Sequence, residues 1–236
     1  MKRAVFAGVL ISALAVQGAV AADVGQRPVY KAAPAAQPPL PAAYNWTGFY
    51  LGINAGGAFG TSRWSAGNIS TGDFDVSGAT VGGTIGYNVQ TGPAVWGVEA
   101  DANYADVDGT TNVRCGAGCT TSNEFLSTVR GRFGYSFYDR VLPYVTGGLA
   151  VGDIKAESGG LSASTTKAGF TVGGGIEFAL AGGWTAKAEY LYVDLGNFNC
   201  GSACGLAGTE VKFNENVVRG GINYRFDWGG MGMARY

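Results

Sequence analysis

Trp96-Gly97-Val98-Glu99-Ala100-Asp101-Ala102-Asn103-Tyr104 decides the fold. Its even positions are aromatic, apolar or Ala, and Glu99, Asp101 and Asn103 sit between them. A period of two becomes two faces only on an extended strand. One face of this strand is oily and the other ionic.

The same period recurs from Pro41 to the end of the chain, with no helical period between. Upstream, Phe49, Leu51, Ile53, Ala55 and Phe59 alternate with Gly52, Asn54 and Gly56, and Ala79, Val81, Ile85, Tyr87 and Val89 alternate with Thr80, Gly82, Thr84, Gly86 and Asn88. Downstream, Phe125, Val129, Phe133, Tyr135 and Phe137 oppose Thr128, Arg130, Arg132 and Ser136. A glycine-interrupted strand around Val141 to Gly152 places Val145, Leu149 and Val151 together. Phe170, Val172, Ile176 and Phe178 then oppose Lys167, Thr171 and Glu177, and Trp184, Ala186, Ala188, Tyr190 and Tyr192 oppose Thr185, Lys187 and Glu189. Val218, Ile222, Tyr224 and Phe226 oppose Arg219, Asn223 and Arg225, which completes eight strands.

Three connections are tight, at Thr91-Gly92-Pro93, Tyr138-Asp139-Arg140 and Ala181-Gly182-Gly183. The four between them are expected to be long loops, Gly60 to Asp75, Asp106 to Ser122, Asp153 to Thr166 and Gly196 to Val211. Strict alternation of short and long puts all tight turns at one end of an up-and-down sheet.

The ionic face carries both signs: Glu99, Asp101, Glu177 and Glu189 with Arg130, Arg132, Lys187, Arg219 and Arg225. On the oily face, rings gather beside the tight turns, at Phe49, Tyr87, Trp96, Phe133, Tyr135, Phe137, Phe178, Trp184, Tyr224 and Phe226. Rings collected at one depth form an interfacial girdle, whereas a soluble core spreads them along its strands. This points to lipid outside, with a secreted soluble barrel or sandwich as the alternative. In lipid every backbone amide needs a neighbouring strand, so the sheet must close. The expected fold is all-β, an eight-stranded antiparallel up-and-down transmembrane β-barrel. Eight strands leave an interior that side chains fill, so the nine ionic residues are read as a lumen network, with Glu99 opposite Arg132 and Asp101 opposite Arg130.

Composition removes several functions. The chain has no histidine, which excludes His bases, His-activated nucleophiles and His metal sites. A formal charge of −1 gives no basic footprint for nucleic acid. Glu99 beside Asp101 suggests paired acid and base carboxylates, but Arg residues on the same face favour a structural pair. The runs at Gly147 and Gly173 to Gly175 lack the helix and lysine of a phosphate loop.

Met1, Lys2 and Arg3 precede an apolar run from Ala4 to Val16, and Ala19-Val20-Ala21 fits a cleavage site. Residues 1–22 are therefore read as a signal peptide. Residues 23–42, with Pro28, Pro34, Pro38, Pro39 and Pro41 among Ala and Gln, are read as a periplasmic tether. The barrel takes 43–228, and 229–236 form a short C-terminal extension.

Asn45-Trp46-Thr47-Gly48-Phe49-Tyr50, Leu142-Pro143-Tyr144-Val145-Thr146-Gly147-Gly148-Leu149-Ala150, Lys187 to Gly196 and Val217 to Phe226 resemble the small alphaproteobacterial outer-membrane β-barrel proteins, often labelled porin-family or OmpA-like transmembrane domains. The resemblance runs from about Ala43 to Trp228 and implies an eight-stranded outer-membrane barrel. Some relatives are described as haem-binding or as surface antigens, but no motif carries those activities here. Such barrels usually end on an aromatic of the last strand, whereas this chain continues past Phe226 and Trp228 to Tyr236. A peptidoglycan-binding module after the last strand is not expected.

Cys115 and Cys119 occupy the second long loop, and Cys200 and Cys204 the fourth. In an exported chain they favour disulfides. Pairing within each loop is the simplest arrangement, with a bridge between loops or a four-thiolate zinc site as alternatives. Trp64, Phe74 and Phe198 are the candidate anchors should the loops bind haem, a host factor or phage. The expected role is a non-enzymatic structural barrel, with at most narrow pore activity and no cofactor. Its expected partners are outer-membrane lipid, lipopolysaccharide and the barrel-assembly machinery.

Overall fold

A computed structural model of the chain describes residues 44–113, 118–199 and 209–226. The segments read as signal peptide (1–22), tether (23–42) and C-terminal extension (229–236) lie outside the described residues. Eight strands follow in order: β1 (Gly48–Ala66), β2 (Ile69–Thr91), β3 (Ala94–Thr111), β4 (Cys119–Tyr135), β5 (Val141–Ser158), β6 (Leu161–Ala179), β7 (Trp184–Asn199) and β8 (Glu210–Phe226). Each pairs antiparallel with the next, and β1 pairs with β8 from Phe49↔Phe226 to Ser65↔Glu210, closing the barrel. Closure leaves no sheet edge in the lipid.

The tight turns lie where the sequence puts them. Gly92 takes φ +60° between β2 and β3, while Tyr138 and Asp139 adopt φ 47° and 58° between β4 and β5. The expected long loops are different. β1 and β2 stay paired to Ala66↔Ile69, through a register shift between Arg63 and Ser65, and β5 and β6 stay in register to Ser158↔Leu161, so those two connections are extended hairpins with two-residue tips. The reason is chemical: Ser, Thr, Asp and Lys on the outer face of these segments suit water, and strand pairing persists beyond the lipid without an oily outer surface.

The outer surface has a band of exposed apolar side chains, including Ile53 at 69% exposure, Val98 at 62% and Leu149 at 67%. Below it stand the expected girdle rings, with Trp96 and Phe133 centroids 4.3 Å apart and Trp184 and Tyr224 5.0 Å apart. Above it Phe59, Tyr104, Phe125, Phe170 and Tyr190 form a second, upper girdle, which in the sequence shares its alternation with the band. The eleven residues from Phe49 to Phe59 join the two girdles. At about 3.3 Å per residue and a tilt of roughly 40°, that segment rises roughly 25 Å, the height of an outer-membrane apolar band.

Above the upper girdle the arrangement reverses. Asp106, Asp108, Glu124, Asp153 and Lys212 face outward, and Ala105, Val107, Ile154, Val211 and Phe213 are buried inside. A bulge between Asn123 and Phe125 on β4 and another between Asp194 and Asn197 on β7 fall at this level.

Candidate functional site

The lumen is filled in three layers. The lowest begins before β1, where Trp46 is 2% exposed and packs with Val95, Leu142 and Ala179. Its indole Nε1 donates to Ser136 Oγ at 3.0 Å and its backbone N–H to Gln90 Oε1 at 2.8 Å. Tyr44 meets Trp46 edge to face at 4.8 Å, so the Tyr44 to Thr47 segment is folded across the mouth beside the tight turns. Arg225, grouped with the lumen charges by its alternation, belongs to this mouth. It pairs with Tyr50 one step from the strand end, stacks 5.1 Å over the Tyr44 ring and donates to Thr47 O at 3.2 Å. The last residues of β8 lie level with the folded segment, which puts this guanidinium below the other charges.

The middle layer is ionic. Four acids, Glu99, Asp101, Glu177 and Glu189, meet four bases, Arg130, Arg132, Lys187 and Arg219, with side chains 0–4% exposed. Arg130 Nη2 reaches Glu99 and, at 2.8 Å, Asp101 Oδ2, while its Nη1 donates to Glu189 Oε1 at 2.9 Å. Arg219 spans Asp101 and Glu189, with Nη2 2.9 Å from Asp101 Oδ2 and Nε 2.8 Å from Glu189 Oε2. Lys187 Nζ donates to both oxygens of Glu99, at 3.0 and 2.9 Å. Arg132 donates to Glu177 Oε2 at 2.7 Å, and its guanidinium lies 4.1 Å from the Tyr144 ring centroid. Tyr50 OH donates to Glu99 at 2.8 Å and Tyr144 OH to Glu189 at 3.0 Å.

Local sequence builds this layer. A Cβ at inward-facing Gly86 would stand 2.3 Å from the Tyr50 ring, and one at Gly175 would stand 2.7 Å from Tyr144 OH. These two glycines clear the volume that the phenols occupy, and the phenols fill gaps between ions on opposite walls. The strand register differs from expectation by two residues. Glu99 pairs with Arg130, Gly97 with Arg132 and Asp101 with Thr128. In this register Trp96 pairs with Phe133 in the lower girdle, their tilted rings 4.3 Å apart between centroids. The long side chains still join Arg130 to Asp101, and Arg132 Nη1 lies 3.5 Å from Glu99 Oε2.

The upper layer is apolar, with Val107, Leu126, Ile154, Leu191, Leu195, Val211 and Phe213 buried together. Trp64, a candidate binding anchor in the sequence, is only 3% exposed and donates its indole N–H to Thr121 Oγ1 at 2.9 Å. Even positions of β1 face inward throughout, which turns Trp64 away from solvent. Phe74 packs against the same cluster, and the side chain of Phe198 lies outside the described residues. Glu215 is fully buried here. It accepts from Asn123 Nδ2 at 3.3 Å, and its Oε2 has no hydrogen-bond partner.

Cys119 is disulfide-bonded at the start of β4. Cys115, Cys200 and Cys204 lie outside the described residues. Among the described residues no three His, Cys, Asp or Glu side chains are grouped to hold a metal ion.

Chemically the ionic layer is a balanced lattice, with every carboxylate held by at least one cation. It offers neither a solvent-facing acid nor a nucleophile.

The model of the outer membrane protein beta-barrel domain matches residues 30–226. This chain belongs to that family. Among curated relatives, a 31 kDa outer-membrane immunogenic protein of Brucella melitensis is 37% identical over 240 residues, covering 92% of this chain and 97% of the relative. A 22 kDa outer membrane protein of Rhizobium leguminosarum is 33% identical over 239 residues, covering 95% and 100%. Neisserial surface protein A, a solved structure, matches 76% of this chain and 98% of its own at 16% identity and a TM-score of 0.47. As a member of the outer membrane β-barrel domain family, the protein resides in the outer membrane, and its oily band is the lipid-facing surface.

Proposed function

We propose that the protein is a structural, non-enzymatic barrel of the outer membrane that supports envelope integrity, with at most narrow passage of small solutes. The ionic layer carries this reading: eight charged side chains, balanced in sign, cross-link the wall from β3, β4, β6, β7 and β8. A permeating ion would have to displace charge-assisted hydrogen bonds between buried side chains, at a cost of several kcal/mol per broken pair. The Trp46 mouth and the apolar layer stand in series with it. In this reading the tether and tight turns are periplasmic, and the long hairpins are external. Lipopolysaccharide surrounds the upper girdle, and the barrel-assembly machinery inserts the chain. The Brucella relatives are named immunogenic, in keeping with hairpins that project above the lipid.

Reconstitution into planar bilayers tests the proposal. The expected trace is silent or shows only small, brief openings, and stable nanosiemens openings contradict it.

A further inference from the structure

Where the outer face changes from apolar to polar, it also carries a groove. The groove has a volume of about 530 Å³ and crosses β3 to β6, with Tyr104 and Phe125 on its lower side and Glu124, Asp153, Lys155 and Thr165 among the residues above. The bulge on β4 shapes it, because Glu124 and Phe125 both turn outward where alternation would allow one. Asp153 Oδ1 accepts from Thr166 Oγ1 at 2.6 Å, which ties the carboxylate to a neighbouring residue of the groove lining. The volume is that of a small-molecule site.

We infer that this groove seats the sugar headgroup of a membrane glycolipid whose acyl chains run down the apolar band beneath it. The groove is continuous with the lipid-facing surface through Tyr104 and Phe125, so its occupant is an amphiphile with its polar part at this depth. Two carboxylates and two aromatic rings suit a polyhydroxylated ring. Carboxylates accept paired hydrogen bonds from neighbouring hydroxyls, and the rings cover the apolar C–H face of a sugar. Glu124 and Asp153 outnumber Lys155, which disfavours a bare anionic phosphate head. The inference stands whether or not the lumen conducts.

Native mass spectrometry of the refolded full barrel tests it, with monoglucosyl diacylglycerol, phosphatidylethanolamine and phosphatidylglycerol supplied in equal amounts. One glycolipid per barrel is expected to be retained, at least about tenfold over either phospholipid, the discrimination expected of polar groups matched or left unmatched. Glu124→Gln combined with Asp153→Asn should abolish the preference, and Tyr104→Ala should weaken it. Heat-modifiable gel migration checks that each variant is folded, and should the double variant not fold, Tyr104→Ala alone decides. Equal retention of the three lipids, a phospholipid preference, or a glycolipid preference unchanged in the folded variants would overturn the inference.

Discussion

The lower and upper halves of this barrel share the same strands and opposite polarities. On β3, Val98 and Tyr104 face outward at 62% exposure each, with Glu99, Asp101 and Asn103 buried behind them. A single step higher, Asp106 and Asp108 face outward and Ala105 and Val107 are buried. The strand continues through a register shift against β4 between Tyr104 and Val107, and the alternation of its inward and outward positions is unbroken. What changes is the solvent outside. Hydrocarbon accepts only the oily face and forces charge inward, where it must be paired. Water accepts the charged face and drives the oily one inward, as in a soluble domain. The lower half is a membrane protein and the upper half a small soluble barrel stacked on it.

Breaking the lower half at its centre should have the largest effect. Arg130→Ala leaves Glu99, Asp101 and Glu189 each short of a cation. It should lower unfolding stability by about 3–5 kcal/mol, read as a urea midpoint shift in lipid vesicles. Next comes a matched pair on the outer face of β3. Ala100→Lys, midway between the girdle rings Trp96 and Tyr104, should cost about 2–4 kcal/mol at the depth of the bilayer centre. Asp108→Lys on the same face, four outward positions higher, should change stability by less than about 0.5 kcal/mol. Equal costs at the two positions would erase the boundary drawn here.

The halves also differ in how they treat acids. All four carboxylates of the lower layer have cations, whereas Glu215 lies in the apolar upper layer with one amide donor and an unpartnered Oε2. Glu215→Gln should therefore stabilise the barrel, by roughly 1–2 kcal/mol at neutral pH, since it removes a buried acid that lacks a counter-charge.

The smallest effect is expected on the outer hairpin. There Arg63 donates to Asp73, and that hydrogen bond holds the Asp73 carboxyl below its ordinary range. A lowered folded value means the pair contributes above the usual carboxylate titration and is lost as pH falls through it. Both side chains are about half exposed, so Asp73→Asn should leave the thermal midpoint unmoved within error.

Much of the lower half was legible in the sequence because one phase of the period of two holds from Trp96 to Tyr104 and recurs seven more times. The tight turns were legible for the same reason, as Gly and Pro interrupt that phase at residues 91–93 and 181–183 and a polar Asp139-Arg140 step interrupts it between β4 and β5. The upper half was not, because its phase inverts without any change in spacing. Read as a single phase, Asp106 ends a strand and begins a loop, whereas read as two it continues β3 to Thr111. The apolar residues at 105, 107, 191, 193, 211 and 213 were the available signal, since each falls one step off its strand's lower phase. Within the ionic layer, residue identities were legible and their pairing was not. A two-residue slip preserves both faces and sets Trp96 opposite the Tyr135 ring in place of Phe133, so neither the face pattern nor the girdle distinguishes the registers. The Trp46 plug left no periodic trace, being a single irregular segment held by hydrogen bonds to Ser136 and Gln90.

Spin-label accessibility along the outward positions of β3, from 96 to 108 in steps of two, reads the solvent directly. In reconstituted barrels, labels at 98, 100 and 102 should favour oxygen over a water-soluble nickel relaxant, and the preference should reverse between 104 and 106. A profile that stays flat, or that favours nickel throughout, would contradict the boundary and with it the assignment of lipid to the lower half.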